Sequence, residues 1–486
     1  VFEPSGRQFG ATLHAVSRDG HYVVLAAWPT TCPDCSAIVW DRWTGAFVRT
    51  LTWSDGTPLN AHDFEWSWKR VLNKDTKSEY TSAMYPLKNA VAIDTKGAPL
   101  DDLGVKATDD KTLVVTMEGP TPYFPLLAAT WTYYPVPKHV IEKAGEAWVE
   151  AGTMVSNGPY VLTAWDHDQS MTLERNEKYY GEKPTITKAE YTLFADPVAQ
   201  ALVAFEADEL DQAQVAGADL DRVKNDAVLG PLVQVFPRSG TQFIICDTTN
   251  APTDDVRVRQ ALAMAIERDA LANGVLKGEF SPAATILPSD IPGYNEAAAL
   301  GTDLDKAKQL LADAGYPNGE GLPELTLTYT ATSTQEKKSA EYLQGIWKQS
   351  LGVNVKLDPL EDKAFQDWFN ARADQPFNML LSFWGSDWGD PANWHNQLFD
   401  SQADQYHAHW KNDEFDTTVR EAVSMADADA RVAEYEKAET ILNQDASIVP
   451  LFHLNRIYVI KPWVQGIVHY PILGRTWLRY ISILEH

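Results

Sequence analysis

Polar caps followed by apolar residues three and four positions apart mark several helices along this chain. Asn60, with Asp63 three residues on, heads a stretch carrying Phe64, Trp66 and Trp68. Asp254 or Asp255 heads Val258, Ala261, Leu262 and Ala265, and Asp303 heads Ala307, Leu310 and Leu311, a helix expected to stop at Gly315 before Pro317. Ser333 and Glu336 have capping-box spacing and predict a helix to about Ser350, ended by Gly352. Residues 428–442 form one more amphipathic helix. Between these lie short β-rich runs at 113–117, 325–329, 353–357, 379–383 and 448–454, and a hairpin pattern at 160–165 and 171–175. Strands mixed with helices over two long stretches predict an α/β architecture with more than one sheet. No low-complexity linker intervenes, so crossings between domains should be direct and short.

Composition narrows the function classes. A chain of 486 residues suggests two or three domains, and 44% hydrophobic with 22% charged residues excludes wholesale disorder. The net charge of -26 argues against nucleic-acid binding and against electrostatic docking on an anionic membrane. No apolar stretch of about 20 residues exists to span a bilayer. Residue 1 opens on ordinary sequence, which leaves two expectations: a cytosolic chain, or one whose leader is removed upstream.

Three cysteines allow one internal disulfide at most. Cys32-Pro33-Asp34-Cys35 has the spacing of a redox dithiol, but that chemistry wants a helix after the first thiol, and 37–40 is strand-like. A structural Cys32–Cys35 disulfide is the preferred reading, and zinc lacks a second ligand pair. Cys246 reads as a buried apolar residue. His407 and His409 with Asp404 could hold a metal, yet 409–416 also reads as a surface loop entering a helix, and no metal is expected. Nucleophile elbow, zincin helix and phosphate loop are all missing, so neither catalysis nor a cofactor is expected.

The run Trp53-Ser54-Asp55-Gly56-Thr57-Pro58-Leu59-Asn60-Ala61, followed by Trp66-Ser67-Trp68-Lys69-Arg70, resembles the signature of extracytoplasmic solute-binding proteins of the peptide and nickel class. The resemblance continues in order through Ser156-Asn157-Gly158-Pro159-Tyr160, Leu173-Glu174-Arg175-Asn176, Asp255-Val256-Arg257-Val258-Arg259, Ile448-Val449-Pro450 and Lys461-Pro462-Trp463-Val464, from about residue 50 to the C-terminus. Within that class the chain is most similar to oligopeptide-binding proteins, through its last segment and through Phe383-Trp384-Gly385-Ser386-Asp387-Trp388-Gly389-Asp390-Pro391. The first 50 residues depart from the pattern, and runs between 17 and 51 look like one blade of a WD-repeat propeller. No second copy follows, so they are expected to supply strands to the lobes.

The resemblance implies a two-lobed periplasmic-binding-protein-like α/β fold with an extra inserted subdomain. Lobe I would take 1–29, 141–239 and 456–486, the insert 30–140, and lobe II 240–455. It implies a monomeric receptor in the periplasm or outside the cell that hands an oligopeptide to the membrane permease of an ABC importer; a lipid anchor is left open, and its cysteine would lie upstream of residue 1. Asp387 would pair with the peptide ammonium and the backbone around Trp384 and Gly385 with its main chain; Trp384 and Trp388 could form apolar walls, and Phe383 is a further ligand-binding candidate. Such a binder should read what all peptides share, by strand addition and a carboxylate. Arg372 would meet the ligand's carboxy-terminal end or else be a solvated helix-end residue; Phe243 would face ligand or pack in the core; Tyr80 and Tyr85 are further, weaker candidates. The 17 tryptophans keep an oligosaccharide ligand as the alternative.

Overall fold

The computed structural model describes residues 13–16, 22–25, 38–41 and 51–485, apart from 197, 218, 373–374, 404–408 and 473–474. Cys32, Cys35, Asp404 and His407 lie outside them. The chain divides into two compact units, Val1–Pro197 with Trp463–Val468 and Trp477–His486, and Val198–Pro462 with His469–Thr476.

The first unit is built of small antiparallel sheets. Its described N-terminal residues form three strands, Leu13–Val16, Tyr22–Leu25 and Ile38–Asp41, in that order. The helix Ala61–Leu72 starts as its sequence predicts: Asn60 accepts from the His62 N–H, and the Asp63 carboxylate accepts from the Asn60 N–H at 2.9 Å. Its inner face buries Trp68, whose Nε1 donates to the Tyr133 carbonyl at 2.9 Å while the rings meet edge to face. The predicted hairpin is present as Tyr160–Asp166 and Ser170–Arg175, and Lys188–Thr192 extends it to three strands.

Three of the sequence motifs meet in this unit. Gly56 (φ +96°) closes the turn that returns the Thr57 carbonyl to the Trp53 N–H. The Ser54 N–H donates to the Ser156 carbonyl, the Asn176 N–H to the Pro159 carbonyl, and Lys178 Nζ to the Asp55 carbonyl at 2.7 Å. Trp53 is buried beneath them at 1% exposure. The motifs are therefore a mutually bonded framework.

The second unit is organised by one mixed sheet. Its strand order is Gln212–Gln214, Ile448–Ile460, Val233–Cys246, Met379–Gly385, Leu325–Thr330 and Val355–Leu360, with Ser281–Pro282 beside the second of these. The first four pair antiparallel; Leu325–Thr330 pairs parallel on both sides. The helices Val256–Met264, Leu304–Asp313 and Thr334–Leu351 cover it, with Leu343 and Trp347 buried against Val258 and Leu262 and Trp347 Nε1 donating to the Leu262 carbonyl. Asp255, Asp303 and Ser333 cap these helices as expected. The Ser333 box is only half formed: the Glu336 carboxylate accepts from the Thr330 N–H at 2.8 Å instead of from Ser333. Cys246 is buried, as expected, and burial pushes its thiol up to about 12.

The expected lobe boundaries at 239/240 and 455/456 fall inside Val233–Cys246 and Ile448–Ile460. The two strands stay paired across them, with a register irregularity between Pro237 and Thr241.

Candidate functional site

The strand Met379–Gly385 and the loop after it carry most of the candidate residues. Antiparallel pairing with Val233–Cys246 holds one side of the strand over its whole length, from Cys246 opposite Met379 to Gly240 opposite Gly385. On the other side the ladder to Leu325–Thr330 covers only Met379 and Leu380 and ends five residues before the strand does. The side chain of Gln242 then bends to donate to the Ser382 carbonyl at 2.9 Å, and is itself held by Gln335 at 3.1 Å. Residues 383–385 lie beyond both. Phe383 is 48% exposed, and Trp384 and Gly385 are half-buried. This is a sheet margin of the kind that accepts an added strand.

The loop is held from below. The Ser386 N–H donates to the Ser239 carbonyl, and Ser386 Oγ accepts from Trp394 Nε1 at 2.8 Å. Asp390 is buried and forms a two-pronged ion pair with Arg431, at 2.8 and 2.6 Å, while also capping the turn Pro391–Asn393. Asp387 lies between these two fixed points. Its N–H donates to Asn393 Oδ1 at 2.7 Å and its side chain is half-buried. Trp388, beside it, is buried at 8%.

Behind the margin, in the strand paired with it, Thr241 Oγ1 donates to the Ile286 carbonyl and meets His453 Nδ1 at 2.9 Å. His453 Nδ1 must then be the donor, which leaves Nε2 as a bare, buried nitrogen without a partner among the described residues. Burial, against a weak pull from Glu439, brings this imidazole down to about 4.

Comparison with known proteins follows the same line. The model of the bacterial extracellular solute-binding proteins, family 5, matches residues 43–406. The chain belongs to this family. It is 34% identical to the probable deoxycholate-binding periplasmic protein YgiS of Escherichia coli (strain K12) over 432 residues, 87% of this chain and 79% of that one. It is 34% identical to the periplasmic oligopeptide-binding protein OppA of the same organism over 466 residues, 92% of this chain and 84% of that one. The structure of Haemophilus influenzae OppA in complex with the peptide RPPGFSPFR superposes with a TM-score of 0.71 at 26% identity, over 98% of this chain and 89% of that one. The expected two-lobed α/β solute-binding fold is the fold of these structural neighbours.

Of the remaining candidates, Phe243 lies opposite Ser382 in the paired strand and the others lie on other elements. Arg372 ends the helix Asp362–Ala371 and is not solvated: it is 4% exposed, its guanidinium lies 3.5 Å from the Phe369 ring centroid, and Nη1 donates to the Phe369 carbonyl. Phe243 is fully buried and edge-on to Phe399, which suits the packing alternative. Tyr85 belongs to the first unit, where its hydroxyl donates to Asp94 at 2.8 Å; Tyr80 stacks on Trp131. His409 pairs with the buried Asp247 at 3.0 Å, and no group of three metal-ligating side chains occurs among the described residues.

Sequence reading missed the parts that hold the loop. Asp390 and Arg431 are 41 positions apart, and nothing local links them. Gln242 and Arg238 sit in a strand that the hydrophobic pattern did not announce. The one available signal was an arginine two residues before Gly240, the residue that the structure sets opposite Gly385.

Proposed function

We propose that this protein binds oligopeptides outside the cytoplasmic membrane for delivery to an ABC importer, and that it catalyses no reaction. The peptide adds as a strand along 383–385, and its ammonium pairs with Asp387. The observation that carries the reading is the early end of the sheet ladder at Leu380, with a half-buried carboxylate two residues past the strand. The backbone margin suits any extended chain and the carboxylate suits any free amino end, so side-chain identity matters little. The relatives named for oligopeptide binding support the same ligand class over oligosaccharide, which offers neither feature. A monomer working with a membrane permease, and a division of the chain into lobe I, the insert 30–140 and lobe II, belong to this reading.

Short peptides with a free amino end should raise the melting temperature of the protein by ligand linkage, and calorimetry should give their affinity. Asp387→Ala should lose about 2–5 kcal/mol of that affinity. N-acetylation of the peptide should lose as much, and should add nothing further in the variant. Equal binding of acetylated and free peptides, or stabilisation by oligosaccharides or deoxycholate alone, would reject the reading.

A further inference from the structure

Beside the loop that carries Asp387 lies an arginine with no counterion among the described residues. The chain holds 67 acidic against 41 basic residues, and Arg175, Arg222, Arg257, Arg259, Arg420 and Arg431 each pair with a carboxylate. The Arg238 side chain makes neither a hydrogen bond nor an ion pair with any described residue. It is not a loose surface side chain either, because it is half-buried and its Nε is sealed from solvent without a partner. The guanidinium lies across Gly385: a Cβ built there would stand 3.1 Å from Nη2 and 3.6 Å from Cζ. Glycine at 385 is what leaves room for the arginine, and for whatever the arginine binds.

The charges around it are of its own sign. Burial first, and then the like charge of Arg456, lower its proton affinity, with no carboxylate opposing them. Arg456 itself donates to a neutral amide, Gln214 Oε1, at 3.2 Å, and its field also reaches His469. The acid in Arg456's field, Glu279, is engaged by the Gly217 N–H at 3.0 Å. A desolvated guanidinium without a partner is costly, and more so beside a second one. An incoming carboxylate removes that cost and gains charge-assisted hydrogen bonds.

We infer that Arg238, laid over Gly385, is a recognition residue for a carboxylate on the bound ligand. The inference rests on the peptide-binding reading and adds a selectivity to it. Asp387 is two residues from Gly385, at most about 7 Å along the chain. A ligand whose amino end sits at Asp387 therefore brings to Arg238 either the acidic side chain of its first or second residue or the free carboxyl end of a dipeptide.

The test is calorimetric titration of the full chain, wild type and Arg238→Gln. The probes are Ala-Ala-Ala amide, Glu-Ala-Ala amide, Ala-Glu-Ala amide, Ala-Ala amide and free Ala-Ala. Wild type should bind at least one carboxylate-bearing peptide tenfold or more tighter than its neutral amide counterpart. Arg238→Gln should shrink that preference to twofold or less and leave the affinity for the neutral amides within twofold. A preference confined to the glutamyl peptides assigns the side chain, and one confined to free Ala-Ala assigns the terminus. Arg238→Lys should keep part of the preference, and circular dichroism checks that each variant is folded. Peptides bound without any preference, or a preference that survives Arg238→Gln, would remove the subsite and leave the peptide reading standing. Failure of every peptide to bind the folded wild type would remove both.

Discussion

The turn 53–60 and the loop 383–390 look alike in sequence: each sets tryptophan, serine, aspartate and glycine within a few positions. They are put to opposite uses. The turn holds one aspartate, Asp55, which is exposed and bonded within the framework. Asp55 accepts from the Thr57 N–H and pairs with His139 at 2.8 Å, and Trp53 is sealed below. In the loop the work is divided. Asp390 is locked to Arg431 and keeps the backbone in place, while Asp387, three positions earlier, stays half-buried at the sheet margin beside an exposed Phe383. The motif that announces the family is the part that only holds shape. The part proposed to meet a ligand has a second acid, Asp390, as its support.

Breaking that support should have the largest effect. Arg431→Met leaves Asp390 buried without its partner, an arrangement that costs about 3–5 kcal/mol. Thermal melting should show the loss, and peptide affinity should fall with it, because the loop that positions Asp387 loses its lower fixed point. The double change Arg431→Met with Asp390→Asn should recover part of the stability, since no uncompensated charge remains. If the single variant were stable but unable to bind, Arg431 would belong to the binding surface itself and the division between the two acids would be wrong.

How much of this was legible differs between the two regions for a physical reason. Caps and turns are local, so Asn60, Asp255, Asp303 and Ser333 declared helix starts that the structure has. The strand Val233–Cys246 did not declare itself, because Pro237 and Gly240 interrupt its alternation at the place where its pairing slips. The predicted strands 448–454 and 379–383 were real but short of their true ends for the same reason: what extends them is pairing with that irregular neighbour. In the site, Asp387 and 383–385 were visible through family likeness, not through the hydrophobic pattern. Arg372 could be read as solvated because helix ends usually are; the Phe369 ring that covers it is a neighbour only once the helix is formed. Long-range partners such as Arg431 and Arg238 leave no local trace.

Acid should separate the two regions next. His453 is held neutral down to about 4, whereas an unfolded histidine titrates near 6.5. Between those values the unfolded chain binds the extra proton, so stability falls as pH drops from about 6.5 to 4, by on the order of 3 kcal/mol in all. Asp55 behaves differently. Burial pushes its carboxyl up, but the Thr57 N–H and His139 outweigh it and hold it below its usual value. Its stabilising share is complete above the unfolded value near 3.9 and is lost only as pH falls further. Melting curves over pH 4–7 should therefore be steeper for wild type than for His453→Gln, and Asp55→Asn should change them little in that range. An unchanged slope in His453→Gln would show that the imidazole behind the margin is not what titrates.

The smallest effect isolates the framework turn. Gly56 has φ +96°, where a side chain is strained, and a Cβ there would stand 3.0 Å from Lys178 Nζ. The lysine end is flexible and can give way, so backbone strain dominates and Gly56→Ala should cost about 1–2 kcal/mol. The melting temperature should drop by a few degrees, while peptide affinity stays within twofold of wild type. Gly385→Ala makes the contrast. There φ is ordinary and the new methyl meets the Arg238 guanidinium at 3.1 Å, so affinity for carboxylate-bearing peptides should fall more than stability does. Two glycine-to-alanine changes of equal size would then report separately on the framework turn and on the loop proposed to meet the ligand. Loss of binding in Gly56→Ala would erase the distinction between them.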